Sequence, residues 1–335
     1  MIPVPPAVLE KLAQAYDSQA GVLSHFSGGS EGSDGILYAY PYQDRMRLLK
    51  VMALPIEQKS NGLFRLEERL RFARFVGERG VRMVFPQLSP QDGLYETYQD
   101  GGHVWIAYTM EMVSGRTPAP EDQTSEFYQN WGQVIGKLHR ISQEYTTWQA
   151  TLNPITGHEL LTWQEEWQDF YDWSKDLEVR EMWVGLRAEL EKLPLQRDSF
   201  GFVHNDAHIW NLLVEGNQIT LLDFDVANHH WFVNDIAIAC QSVLFDQSGG
   251  MHKPVHDRQK LVSFLRDFLA GYQREYDLEK EWLDKLDLFY AYRRILLFTV
   301  MHGWISSQPE MHAGWRKMIM EQPEVLGEVS RVLKV

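Results

Sequence analysis

The sequence predicts an α+β chain of two lobes. The first, residues 1–112, is small and built mainly on an antiparallel sheet; the second, residues 113–335, is larger and mainly helical. Three observations predict this. Apolar runs of strand length crowd the first 112 residues, with one helical pattern among them. The stretch "SGRTPAP", Ser114 to Pro120, then interrupts the chain with two prolines. After it the apolar spacing turns helical, broken only by a strand–loop–strand stretch within Gly201 to Ala227.

The elements follow in order. Behind the N-terminal prolines, Val8, Leu9, Leu12, Ala13 and Tyr16 recur at helical spacing within residues 1–20. "LSHFSGGSEGSDGILYAYPYQDRMRLLKVMAL" holds three apolar pieces parted by a Gly/Ser loop and by "YQDR". They predict strands at about 22–27, 35–41 and 46–53. Residues 62–79, "GLFRLEERLRFARFVGER", predict a helix that stops at Gly80. "VRMVFPQ", "LYETYQD" and "HVWIAYTMEMV" add further strands. In the second lobe, helices are expected at 122–142, 162–174, 179–193, 233–245, 257–276, 278–305 and 310–320. Trp163 and Trp167, four apart, suit one buried helix face.

Composition narrows the function classes. With 335 residues and 44% apolar content the chain is globular and long enough for two lobes. Its one cysteine, Cys240, excludes an internal disulfide framework and a CxxC zinc site, and fits a reducing, cytoplasmic compartment. The N-terminus lacks the basic-then-apolar pattern of a signal peptide, and no apolar run approaches the roughly 20 residues that cross a membrane. Neither membrane nor nucleic acid is expected as a partner. The net charge of −14 divides into −2 for residues 1–112 and −12 for the remainder, whereas phosphate backbones attract clustered Lys and Arg. An acidic lobe attracts a cationic small molecule if its acids line a cleft; a solvated acidic surface is the equal alternative.

The chemistry concentrates in "GFVHNDAHIWNLLVEGNQITLLDFDVA", Gly201 to Ala227. "NLLV", "EGN" and "ITLL" read as a hairpin with a tight Gly turn. Asn211 and Asp223 flank that hairpin, so both side chains can reach the same end of it and share one cation through oxygen, as Mg²⁺ prefers. Asp206, five residues before Asn211, is then free to take a proton from a hydroxyl. The order H-x-D-x-x-x-x-N…D-F, here His204, Asp206, Asn211, Asp223 and Phe224, matches the second half of the protein-kinase signature. Turn and cap residues are the alternative reading, but it leaves spacing, hairpin and order unexplained together.

The first lobe offers matching parts. "FSGGSEGSDG" places Gly28, Gly29, Gly32 and Gly35 between two strands, where backbone N–H groups can approach phosphates. It is neither GxGxxG nor a P-loop, and a plain flexible hairpin fits it as well. Lys50 lies inside the apolar strand "RLLKVMAL", a costly place for an unpaired lysine unless the strand is at an edge with Lys50 facing solvent. A kinase uses such a lysine on the ATP phosphates, held by a Glu of the next helix. Glu67 and Glu68 are available, and Glu68 is favoured because it precedes the stripe Phe72, Phe75, Val76. The segment Thr109 to Met112, including Met110, is the expected backbone contact for adenine.

At "FVHNDAHIWNLLV", "ITLLDFDVA" and "WFVNDIAIA" the chain resembles the aminoglycoside phosphotransferase/choline kinase-like family. "VIGKLHRIS" (Val134–Ser142), "FLAGYQREYDL" and "LFYAYRR" extend the resemblance over nearly the whole chain; the last two resemble C-terminal helices of bacterial members grouped with homoserine kinase and a stress-response protein kinase. The resemblance implies a bilobal protein-kinase-like fold and an ATP-dependent phosphotransferase that uses Mg²⁺, with ATP between the lobes. It implies Asp206 as catalytic base, His204 as the residue that structures the catalytic loop, Asn211 and Asp223 as Mg²⁺ ligands, Lys50 as phosphate anchor and Asp235 as loop support. "HND" stands where many members have "HGD". The acceptor implied is a hydroxyl of a small, cationic molecule: an aminoglycoside, an amino alcohol or an amino acid such as homoserine. Glu165, Glu166, Asp169, Asp172, Asp284 and Asp287 are candidate acids for it; His208 and Trp210, inside the catalytic loop, are candidates to border it, with core or loop packing the favoured reading of Trp210. A bacterial stress-type protein Ser/Thr kinase and a catalytically idle, spore-coat-type binding protein are the alternatives. The missing A-P-E after "DFD" disfavours the first, and intact Lys50, Asp206, Asn211 and Asp223 disfavour the second.

Overall fold

The computed structural model describes residues 2–26, 35–152, 161–247, 258–321, 326–327 and 333. Gly28, Gly29 and Gly32 lie outside the described residues. The chain divides into two compact units, Met1–Ser114 and Gly115–Val335.

Unit 1 runs α1 (Pro6–Gln14), β1 (Ser24–His25), β2 (Ile36–Tyr42), β3 (Arg45–Pro55), α2 (Lys59–Glu78), β4 (Pro86–Gln87), β5 (Glu96–Asp100) and β6 (His103–Glu111). The strands form one antiparallel sheet in the order β1-β2-β3-β6-β4, with β5 also paired to β6. Period-2 alternation gives the sheet two apolar faces. On one, Val8, Leu12 and Tyr16 pack against Tyr40, Leu49, Val51, Trp105 and Ala107. On the other, Leu66 and Leu70 of α2 pack against Val104, Ile106 and Tyr108. Lys50, between Leu49 and Val51, therefore points to the α2 face. The expected strand "VRMVFPQ" shrinks to Pro86–Gln87. Val81 is buried outside the strand, Met83 makes only an isolated bridge, and Pro86 has no N–H to donate.

Unit 2 runs α3 (Ser125–Leu152), α4 (Trp163–Trp173), α5 (Leu177–Leu190), β7 (Phe200–Val203), β8 (Leu212–Glu215), β9 (Gln218–Leu221), β10 (Asn228–Trp231), α6 (Phe232–Gln247), α7 (Arg258–Tyr272), α8 (Lys280–Leu283), α9 (Leu286–Val300), α10 (His302–Ser306) and α11 (Pro309–Glu321). The expected hairpin is β8–β9, and Gly216, at φ +57°, supplies the left-handed residue its two-residue turn requires. The pairing of β7 with β10 sets Val203 opposite Asn228. The helix expected over 278–305 is three helices, with breaks at Asp284–Lys285 and at Met301. The first bend lets Trp282 and Leu283 on one side and Leu286 on the other all reach the core. Trp163 and Trp167 are buried, as their spacing predicts.

The backbones of α3 and α7 touch. A Cβ on Gly271 of α7 would stand 1.8 Å from the Gln129 carbonyl oxygen, and one on Gly132 of α3 would stand 1.9 Å from that of Phe268. No described helix is long and apolar enough to cross a membrane.

Candidate active site

Strand β7 ends in the loop His204–Asn211, whose backbone is held from below by one buried carboxylate. Asp235, in the first turn of α6, accepts the Asn205 N–H (2.7 Å) and the His204 N–H (3.1 Å). His139 of α3 meets the same carboxylate through Nε2 (3.1 Å), and its Nδ1 meets the Tyr272 hydroxyl of α7 (2.8 Å). Burial alone would raise the Asp235 pKa. The His139 contact, the nearby His204 and the Asn205 N–H outweigh it and hold Asp235 below the usual carboxylate range.

Asn205 turns the loop at φ +64°, in the region where Gly, Asn and Asp are tolerated. Its side chain is fully used. The amide nitrogen donates to Glu166 of α4 and to the Val226 carbonyl (3.1 Å), and the amide oxygen accepts from Asn234 (2.7 Å). Asparagine thus serves the strained turn as glycine would and adds three ties that glycine lacks.

His204 is buried, and burial lowers its pKa, so it is neutral. Its Nδ1 accepts the Asp206 N–H (3.2 Å) and its Nε2 donates to the Leu222 carbonyl (2.8 Å). Its ring lies 4.2 Å from that of Phe224. It therefore fastens the loop to the strand that precedes Asp223. The Leu222 N–H also donates to the Asn211 carbonyl (2.9 Å), which sets the residue before Asp223 beside Asn211. Asp223 is exposed, at φ +62°, with the Asp225 N–H 3.4 Å from its carboxylate.

Asp206 accepts hydrogen bonds at both carboxylate oxygens. Asn211 donates to Oδ2 (3.1 Å) and His208 approaches the same oxygen through Nε2 (3.3 Å). Arg293 of α9 donates to Oδ1. Burial pushes the Asp206 pKa up, but His208 and Arg293 outweigh it and hold the carboxyl ionised, well below its usual range. The Asn211 amide nitrogen donates to both the carbonyl (3.0 Å) and the carboxylate of Asp206, so its amide oxygen is the end that can face a cation. Trp210, by contrast, is exposed.

In unit 1, Lys50 is buried, and its aliphatic stem runs past Gly35, where a Cβ would come within 3.1 Å of the lysine Cγ. On α2, Glu67 faces Arg71 and accepts from the Tyr95 hydroxyl (3.3 Å), which leaves Glu68 as the candidate partner for Lys50. Thr109 is buried and hydrogen-bonded to Tyr40 (2.8 Å), and Met110 pairs with Leu48 and Pro86. The Met112 N–H already donates to the Met46 carbonyl (3.1 Å), so it is not available to an adenine ring.

Several acids proposed for a cationic acceptor already accept hydrogen bonds within the protein, although Asp172 stays exposed on α4. Glu166 accepts from Asn205, Asn228 (2.9 Å) and the Tyr292 hydroxyl (2.9 Å). Glu165 closes a capping box on Thr162, Asp172 accepts from Gln168, and Asp287 accepts the N–H groups of Leu326 and Gly327. Arg293 is the residue that sequence reasoning missed. It stands in "YAYRRILLF" with no spacing relation to the loop it contacts.

Just past the loop, β10 carries two buried histidines. Burial pushes His229 down to about 4 and His230 to about 3. In each, Nε2 is buried with no hydrogen-bond partner among the described residues. Both are neutral in the fold but titrate near 6.5 when unfolded. The unfolded chain therefore binds more protons once the pH falls below about 6.5, and stability drops until the folded values are reached. Each contributes a loss on the order of 3 kcal/mol by pH 4. The Tm, followed by circular dichroism, should fall steadily from pH 7 to pH 4; a flat profile across that window contradicts this assignment.

The profile of the phosphotransferase enzyme family matches residues 65–284. The amicoumacin kinase of Bacillus subtilis (strain 168) is 28% identical over 255 residues, which span 73% of this chain and 72% of that protein. A solved amicoumacin kinase in complex with AMP-PNP, Ca²⁺ and Ami superposes with a TM-score of 0.81 at 22% identity, covering 97% of this chain and 96% of that one. A microcompartment-associated aminopropanol kinase follows with a TM-score of 0.64 at 19% identity, covering 93% of each chain.

Proposed function

The chain belongs to the phosphotransferase enzyme family, and from that premise we propose that it transfers the γ-phosphoryl group of Mg·ATP to a hydroxyl of a small, amine-bearing molecule. The observation that carries the proposal is Asp206: an ionised carboxylate within a clamped loop, hydrogen-bonded to Asn211 and close to the strand that leads to Asp223. Phosphoryl transfer asks a protein for positioning and charge neutralisation more than for covalent chemistry. Asp206 orients the acceptor hydroxyl and receives its proton as the oxygen bonds to phosphorus and the bond to the ADP oxygen breaks. Asn211 and Asp223 would hold Mg²⁺ through amide and carboxylate oxygens, and the bound ion would offset phosphate charge. Among the described residues no three His, Cys, Asp or Glu side chains form a metal site of their own, which fits a cation completed by the nucleotide. Lys50, with Glu68, anchors the phosphates.

The amine is supported by the charge of −14, most of it carried after residue 112, which draws cations toward the chain over a distance. The protein partners of Glu165, Glu166 and Asp287 shift that support from specific contacts to the overall field. The relative named for amicoumacin makes that compound the first acceptor to try. The test is ADP release from Mg·ATP with amicoumacin, aminoglycosides, choline, ethanolamine, aminopropanol and homoserine, with Asp206→Asn alongside. Stimulation by one acceptor, lost in the variant, supports the proposal; stimulation that survives Asp206→Asn, or none by any amine-bearing alcohol, sinks it.

Lys50→Met should lower kcat/KM for ATP by about 10²-fold, the scale of removing one charge-stabilising donor from a transferring group. Initial rates against ATP concentration measure it. Unchanged kinetics would return Lys50 to a purely structural place in the α2 face of the sheet.

A further inference from the structure

Two consecutive residues of α9 reach two consecutive residues of the catalytic loop. Tyr292 donates to Glu166, which binds Asn205, and Arg293 donates to Asp206. A helix bonded at this step of the chain is placed to set the orientation of the carboxylate.

The lone pairs of Asp206 show how. An ionised carboxylate offers about four acceptor directions, two on each oxygen. Oδ2 already has two donors, Asn211 and His208. His208 accepts the Asn211 N–H at Nδ1 (3.1 Å), which leaves its proton on Nε2, facing Asp206. Oδ1 has one donor among the described residues, Arg293. One acceptor direction remains, and it is on Oδ1.

We infer that Arg293 is a positioning residue: it pins Oδ1 of Asp206 so that the acceptor hydroxyl docks on that oxygen's open lone pair. The inference rests on the phosphotransfer reading of Asp206. The terminal torsion of an aspartate is broad, so donors on one oxygen alone leave the carboxylate plane, and with it the direction of the open lone pair, loosely set. A planar guanidinium on a packed helix fixes that plane, and it loses little side-chain freedom in doing so. The Arg293 side chain is only 10% exposed, which holds the fork in place. In the reaction the hydroxyl proton moves to Oδ1, the hydroxyl oxygen bonds to the γ-phosphorus, and ADP leaves with the electrons of the broken P–O bond.

The experiment uses the full chain with Arg293→Met, Arg293→Lys, Asp206→Asn and the double variant Asp206→Asn/Arg293→Met. With the acceptor that stimulates ADP release, Arg293→Met should lower kcat about 10²-fold, the cost of misplacing a reacting group by about an ångström. KM for ATP and acceptor should stay within roughly threefold, because only transition-state positioning is lost. Arg293→Lys should restore part of the rate. In the Asp206→Asn background the same substitution should cost nothing further, since Arg293 acts through Asp206. Wild-type kcat in Arg293→Met, or a full additional loss on top of Asp206→Asn, overturns the inference. If the wild type shows no Asp206-dependent ADP release, the phosphotransfer reading has failed instead. The crystal structure of Arg293→Met then decides the positioning claim alone: a turned Asp206 carboxylate supports it, and an unmoved one overturns it.

Discussion

Asp206→Asn lowers kcat by about 10²- to 10⁴-fold, the range for removing a general base, and leaves KM for ATP nearly unchanged. The substitution keeps size and shape but removes the charge and one acceptor oxygen. Whichever way the new amide turns, its NH₂ faces either Arg293 or the pair Asn211 and His208, all of them donors in this structure. The loop itself should hold, because Asp235 and His204 fasten its backbone without help from the Asp206 side chain. Saturating Mg·ATP kinetics and a melting curve on the same preparation separate the two effects. Turnover within a few-fold of wild type would remove Asp206 from the role of base.

Gly271→Ala should destabilise unit 2 by on the order of 3 kcal/mol or more, since the added methyl meets backbone that cannot rotate away. Its Cβ would lie 1.8 Å from the carbonyl oxygen of Gln129 and 2.7 Å from the Gln129 Cα. Helices α3 and α7 must then part. A loss of that size lowers Tm by roughly 6–12 °C for a unit of this length. Activity should fall with it, because α3 brings His139 and α7 brings Tyr272 to the buried group that clamps the catalytic loop. Gly185→Ala on α5 is the control: nothing lies within 4 Å of its Cβ, and the change should be neutral or slightly stabilising. Equal melting curves for the two variants would show that the α3–α7 contact yields easily.

What could be read from the chain was local. The β8–β9 hairpin, the spacing of Asp206, Asn211 and Asp223, and the burial of Trp163 and Trp167 each follow from residues close in sequence. Lys50 was legible as a problem, a lysine in an apolar strand; alternation on β3 then shows that it faces α2. The parts that escaped depend on distant partners. Arg293 lies 87 residues beyond Asp206, in an apolar helix that carries two arginines, and nothing nearby says which one turns toward the loop. The four-residue strands β7 and β10 pair across the whole hairpin between them, and "NHHW" lacks the apolar alternation that announces a strand. The glycines of "GQVIG" are visible at helical spacing, but the α7 backbone they admit is not. Charge counting failed for Glu166 in the same way, since the tally of acids is blind to the three donors around it.

The left-handed turns at Asn205 and Asp223 bear on how such a chain can change over generations. That backbone region admits Gly, Asn and Asp cheaply and penalises most other residues by about 1 kcal/mol or more. At 205 a drift to Gly keeps the turn but cuts the ties to Glu166, Val226 and Asn234. At 223 the backbone offers the carboxylate no protection: Gly, one base change from Asp, suits the turn equally well. A chain of this architecture can therefore shed its proposed cation ligand in a single mutational step while its scaffold survives, so that only selection for the chemistry itself keeps an aspartate there.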